Sequence, residues 1–297
     1  MNCKSKKIII YCLFLLTSVH CQHTDLGKGA NTTPPSTQAA QAPASAGPVQ
    51  SQPITETLAP EVYKKSNQAL LATAVQGQKF MAVTPHPLAT QAAVQILQQG
   101  GSAVDAALAA QIMLTLVEPA ASGIGGGAFM LVYDAKNKQV RSFDGRETAP
   151  AAVTADMFLD AQQKPQDFFA ASVGGKSVGV PGFVYLASQT HQLFGRVSWS
   201  QLWQPTIEAS LKGFPVSARF AYHLKNEKHL QLFADSKKYF FAADGTPWPE
   251  GHWLKNPQLA QTLQILAGSK ANKKTVASKL AVQAFYDGAL SQKIRKA

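Results

Sequence analysis

The stretch Ser102-Ala103-Val104-Asp105-Ala106-Ala107-Leu108-Ala109-Ala110-Gln111-Ile112-Met113-Leu114-Thr115-Leu116 is apolar on nearly every helical face, so the helix it predicts over 103–116 must be surrounded by protein on most sides. Asp105 stands three residues after Ser102 and forms a capping-box pattern with aspartate in the usual glutamate position. Asp105, Gln111 and Glu118 interrupt the apolar surface too often for a membrane span, which makes this a central core helix. Upstream, residues 89–99 place Ala92, Ala93, Ile96 and Leu97 on one face, and Gly100-Gly101 supplies a left-handed stop. Downstream, Glu118-Pro119 closes the core helix and Gly123-Ile124-Gly125-Gly126-Gly127 leads into apolar runs at 129–133 and 140–143. The polar turn 134–138 between them predicts a β-hairpin. Further helices are expected over 182–193, 199–211, 257–266 and 275–294, giving a mixed α/β body.

Two motifs near the hairpin have chemical readings. A glycine run can cradle phosphate, but that chemistry needs a strand, then glycines, then a helix N-terminus. Here the helix comes first and a strand follows, so Gly125, Gly126 and Gly127 are expected instead to let a strand backbone pass close to the core helix. Phe143-Asp144-Gly145-Arg146-Glu147-Thr148-Ala149-Pro150 concentrates three charges at the end of a strand, in a chain with only 15% charged residues. Arg146 at that place either clamps a ligand carboxylate through a two-pronged hydrogen bond or forms an internal salt bridge with Asp144 or Glu147. Residue chemistry alone leaves both open. His86, bracketed by Pro85 and Pro87 at the start of the first helix, reads as a group capping backbone N–H. The remaining histidines have no metal-ligand spacing, and no Gly-x-Ser-x-Gly elbow is present. Trp199, Trp203, Trp248 and Trp253 are expected in core or rim packing.

The 297 residues carry a formal net charge of +11, which raises the question of nucleic acid. Three of those charges are Lys4, Lys6 and Lys7, and seven more basic residues lie in 270–297 against the single acid Asp287. That last stretch interleaves its lysines with Val276, Leu280, Val282, Phe285 and Leu290 at helical spacing, as a half-buried helix does, so no nucleic-acid partner is expected. The first lysines precede Ile8-Ile9-Ile10-Tyr11-Cys12-Leu13-Phe14-Leu15-Leu16, a run too short to span a bilayer comfortably, and residues 1–20 read as a signal peptide. Residues 21–60, rich in Pro, Ala, Gln and Ser, read as a flexible tether, with 61–297 as the folded part. The protein is thus expected to be exported, periplasmic or extracellular, with a lipid anchor at Cys21 as the one route to a membrane. All three cysteines, Cys3, Cys12 and Cys21, sit outside the folded part, so no disulfide and no cysteine-based metal site is expected there.

From about Phe80 onward a series of short strings in fixed order is similar to the γ-glutamyltranspeptidases, also called glutathione hydrolases. They include Met81-Ala82-Val83, His86-Pro87-Leu88-Ala89-Thr90, Ala103-Val104-Asp105-Ala106-Ala107 and Gly125-Gly126-Gly127-Ala128-Phe129-Met130. They continue with Asp144-Gly145-Arg146-Glu147-Thr148-Ala149-Pro150, Val180-Pro181-Gly182, Lys212-Gly213-Phe214-Pro215-Val216-Ser217 and Phe285-Tyr286-Asp287-Gly288. The resemblance implies an N-terminal nucleophile hydrolase, an αββα sandwich that cleaves itself into a large and a small subunit and acts on glutathione and other γ-glutamyl amides without a cofactor. It implies that Arg146 binds the substrate α-carboxylate and that Asp144 and Glu147 hold it in place. The family's nucleophilic threonine lies in a Thr-Thr-His-x-Ser-Val-x-Asp segment that these 297 residues do not contain. The expectation is therefore an incomplete sandwich, the N-terminal part of a large subunit, with no catalytic residue of its own and no activity without the missing small-subunit half. The other expectation is a non-catalytic exported module that binds glutamate or glutathione.

Overall fold

The structure, a computed structural model, describes residues 76–268 and 274–296; the expected signal peptide and tether, with Cys21, lie outside the described residues. Helix α1 (Pro87–Gln98) begins where His86 Nδ1 accepts the Leu88 N–H at 3.2 Å, the capping role expected of that imidazole. Helix α2 (Ala103–Val117) starts with the capping box: Ser102 Oγ accepts the Asp105 N–H and Asp105 Oδ2 accepts the Ser102 N–H. Its apolar circumference is used on two sides. Leu108 and Ile112 enter one buried cluster, and Ala106, Met113 and Leu116 enter another.

Strands β1 (Ala128–Asp134) and β2 (Gln139–Gly145) form the expected hairpin, antiparallel, with Phe129 opposite Asp144 and Met130 opposite Phe143. Ala128, Met130 and Val132 lean on the helical core. Phe129, Leu131 and Tyr133, on the alternate face, are 65%, 75% and 65% exposed. After the short α3 (Phe168–Ser172) come α4 (Phe183–Phe194) and α5 (Trp199–Lys212), and further on α8 (Pro257–Ala267) and α9 (Lys274–Tyr286) join the same core. Trp199 and Trp203 are fully buried there, edge to face at 5.3 Å, and Trp199 Nε1 donates to the Leu266 carbonyl at 2.8 Å. Trp253 is more than half exposed, at the rim.

Asp105 does more than cap α2. Its Oδ2 also accepts the Arg196 N–H at 2.7 Å and the Val197 N–H at 3.4 Å, tying the loop between α4 and α5 to the start of the core helix. Oδ1 lies 3.6 Å from His191 Nε2, and both side chains are wholly buried.

The structure departs from expectation in three places. The helix expected over 275–294 is two, α9 and α10 (Ala289–Ile294), because Gly288 takes an extended conformation against the last turn of α9, where a Cβ would come within 2.8 Å of the Ala284 carbonyl. Within that segment Phe285 and Leu290 are buried but Val276 and Leu280 are about half exposed, since Ala277 and Ala281 supply the packing face. Between α5 and α8 the chain adds α6 (Ala218–Asn226), capped by Ser217 Oγ, and α7 (Ala234–Phe240). It also adds the two-residue strands β3 (Phe214–Pro215) and β4 (Trp253–Leu254), which pair antiparallel. These elements enclose the second cluster around Phe214, Phe220 and Leu224. No helix among the described residues is long and apolar enough to cross a membrane.

Candidate functional site

The charged string follows directly on β2, so the hairpin register fixes where it starts: Gly145 pairs with Ala128, and Arg146 is the next residue. Asp144 Oδ1 accepts the Arg146 backbone N–H at 2.9 Å. Glu147 Oε1 accepts the Gly127 N–H at 2.6 Å, joining the string to the glycine run. Thr148 forms an antiparallel bridge with Val180, Val180 N–H to Thr148 carbonyl at 2.8 Å and the reverse bond at 3.3 Å. The Gly126 carbonyl then accepts two N–H groups at the start of α4, those of Gly182 and Phe183, both at 3.1 Å.

Close backbone approach explains the glycines. A Cβ on Gly127 would lie 2.7 Å from the Gly145 carbonyl oxygen, and one on Gly182 would collide with the same carbonyl. The helix they let the strand approach is α4. The expectation that all three glycines bring a strand onto the core helix is thus corrected: Gly126 and Gly127 serve contacts with α4 and the end of β2, and a Cβ on Gly125 would meet nothing within 4 Å.

The outcome is an open cleft of about 590 Å³, whose lining includes Gly125, Arg146, Pro150, Phe158, Lys176 and Gly179. Arg146, Asp144 and Glu147 are all exposed. Among the described residues no carboxylate lies within salt-bridge distance of the Arg146 guanidinium. Asp144 and Glu147 both engage backbone N–H groups, so the internal salt bridge that residue chemistry left open is not formed and the two acids hold the Arg146 backbone and the glycine run. Such a guanidinium presents its planar donor fork to the cleft, a geometry suited to a carboxylate. Among the described residues no group of three or more His, Cys, Asp or Glu side chains is placed to hold a metal ion. Lys176 was not singled out from the sequence, although Gly174-Gly175-Lys176-Ser177 sets a lone cation in a glycine turn shortly before Val180-Pro181-Gly182.

A protein-family profile described as gamma-glutamyltranspeptidase matches residues 89–297. The chain belongs to the gamma-glutamyltranspeptidase family. Among curated relatives of this family member, the glutathione hydrolase proenzyme of Bacillus subtilis strain 168 is 39% identical over 190 residues, covering 64% of this chain and 32% of the relative. The glutathione hydrolase proenzyme of Escherichia coli K12 is 34% identical over 224 residues, covering 74% of this chain and 38% of the relative. The chain thus spans about a third of the length of the curated relatives it matches. Among solved structures, the gamma-glutamyltranspeptidase of Helicobacter pylori superposes with a TM-score of 0.68 at 32% identity, covering 75% of this chain and 61% of that one.

Proposed function

We propose that this chain supplies the donor-binding side of a γ-glutamyltranspeptidase acting on glutathione and related γ-glutamyl amides, with Arg146 clamping the substrate α-carboxylate. The observation that carries the reading is the Arg146 guanidinium itself: fixed through its backbone at the edge of an open cleft and paired with no carboxylate among the described residues. Asp144 and Glu147 act on it indirectly, one through the Arg146 N–H and the other through Gly127. The nucleophile in this reading is a threonine hydroxyl from a segment outside the 297 residues. It attacks the γ-carbonyl, the leaving amine takes a proton, and the γ-glutamyl ester is resolved by water or by an acceptor amine. The same reading makes the hairpin part of an αββα sandwich, its exposed face of Phe129, Leu131 and Tyr133 covered by the complementary half. It also includes export through residues 1–20 to the periplasm or the exterior, with Cys21 as a lipid-anchor site. Hydrolysis of a γ-glutamyl anilide is expected only when the chain is paired with that half.

Calorimetric titration of the 297-residue chain with glutathione tests the clamp without needing turnover. Arg146→Ala is expected to weaken binding by roughly 10-fold to 150-fold, the equivalent of about 1.5–3 kcal/mol for a charge-assisted hydrogen-bond pair. An unchanged dissociation constant would remove Arg146 from the site. Glutathione binding that survives while the paired halves fail to hydrolyse the anilide would point to a binding module instead.

A further inference from the structure

Lys176 lines the same cleft as Arg146, and the fold fixes the relation between the two. The Thr148–Val180 bridge sets residues 146–150 and 178–182 side by side in opposite directions, so Arg146 falls toward Gly182 and Lys176 lies beyond the other end, past Pro150. Residue 182 is six positions on from residue 176, a chain reach of at most about 20 Å, and the turn at Gly175–Ser177 shortens it. That turn is held by Ser177 Oγ, which donates to the Ser172 carbonyl at 2.7 Å. The Lys176 ammonium stands 5.7 Å over the Phe158 ring, and among the described residues no carboxylate comes within salt-bridge distance of it. Nearby acids have other engagements. Glu147 holds Gly127, and the Asp156 carboxyl sits below the usual carboxylate range chiefly through its hydrogen bond with the Thr154 side chain, with the Lys176 charge a smaller cause.

We propose that Lys176 is a specificity-determining residue that recognises a second carboxylate, the one on the leaving portion of the γ-glutamyl donor. The favoured substrates are then γ-glutamyl peptides ending in a free carboxylate rather than γ-glutamyl amides with a neutral leaving group. A γ-linked tripeptide spans somewhat more than about 10 Å, within the bound of about 20 Å on the separation of residues 176 and 182. The inference rests on the α-carboxylate reading of Arg146, since that contact sets which way the donor lies.

The test compares glutathione with its C-terminal glycinamide by calorimetric titration of the full chain, in the parent protein and in Lys176→Gln, Lys176→Arg and Arg146→Ala. The parent is expected to prefer glutathione about threefold to fivefold, a preference that fades at high salt. Lys176→Gln is expected to abolish it by weakening glutathione alone, with the glycinamide constant unchanged, and Lys176→Arg to retain it. If Arg146→Ala weakens both ligands while Lys176→Gln leaves their ratio untouched, Lys176 has no part in recognition and the donor site stands. Equal weakening of both ligands by Lys176→Gln also overturns the proposal, because it assigns the side chain a purely structural role. If neither ligand binds, or Arg146→Ala affects neither, the donor-site reading falls and takes Lys176 with it.

Discussion

Asp105→Ala is expected to remove about 3–5 kcal/mol of stability, because the alanine removes a wholly buried acceptor on which several N–H donors converge. The Ser102, Arg196 and Val197 N–H groups all point to one carboxylate oxygen, and these donors come from segments more than 90 residues apart in the chain. The carboxylate has no solvent exposure, so water cannot take its place without opening the junction between α2 and the α4–α5 loop. The Ser102 hydroxyl, which donates to the same carboxylate oxygen at 3.0 Å, loses its acceptor as well, while the residue-105 N–H keeps its bond to Ser102 Oγ. Urea unfolding reads it as a lower midpoint at an unchanged slope. Asp105→Asn is expected to recover part of the loss, since an amide oxygen still accepts N–H bonds but carries no charge. A midpoint equal to that of the parent would show that the loop is held by its apolar packing alone.

Gly182→Ala is expected to cost about 3 kcal/mol and to abolish glutathione binding by the same displacement. Gly182 has φ −106° and ψ −18°, a conformation alanine adopts without strain, so the effect is purely one of space. Its Cβ would collide with the Gly145 carbonyl and come within 2.8 Å of the Arg146 carbonyl, and neither is the flexible end of a side chain. Relief requires the start of α4 to back away from the end of β2, which moves Arg146. Gly125→Ala is the matched control. It adds the same methyl group where nothing lies within 4 Å, and its expected effect on the thermal midpoint corresponds to less than about 0.5 kcal/mol. Equal losses in the two variants would mean that the close approach of β2 and α4 contributes nothing.

The elements legible in the sequence were those whose signals are local. The Ser102–Asp105 box, the prolines at the starts of α1 and α8, and the two apolar runs of the hairpin around a polar turn each name an element without reference to the rest of the chain, and the observed boundaries fall within about two residues of expectation. Helices α6 and α7 escaped because they are short and half polar: Ala218–Asn226 shows its apolar residues Phe220 and Leu224 only against a cluster that distant segments build. Gly288 was the reverse case, a visible breaker inside a pattern whose periodicity ran on past it.

The site divides in the same way. A concentration of charge at the end of a strand marks Arg146 in a charge-poor chain. The partners of Asp144 and Glu147 were not legible, because the competing acceptors and donors are backbone groups brought there by tertiary approach: Gly127, for one, is 20 residues from Glu147. Lys176 was hidden for a similar reason, since only the Thr148–Val180 bridge places it in the cleft with Arg146.

The double acceptor at Gly126 also sets how the cleft moves. Gly182 and Phe183 share one carbonyl, so any fluctuation that withdraws that oxygen releases both amide protons together. Their hydrogen–deuterium exchange should therefore be slow and matched in rate, and a γ-glutamyl ligand that holds the cleft shut should slow the two by the same factor. The Val180 amide, bonded on the other side of the string to the Thr148 carbonyl, is positioned to exchange on its own schedule. The pair and the single amide then separate a hinge at the root of α4 from a local fraying of the loop that carries Lys176.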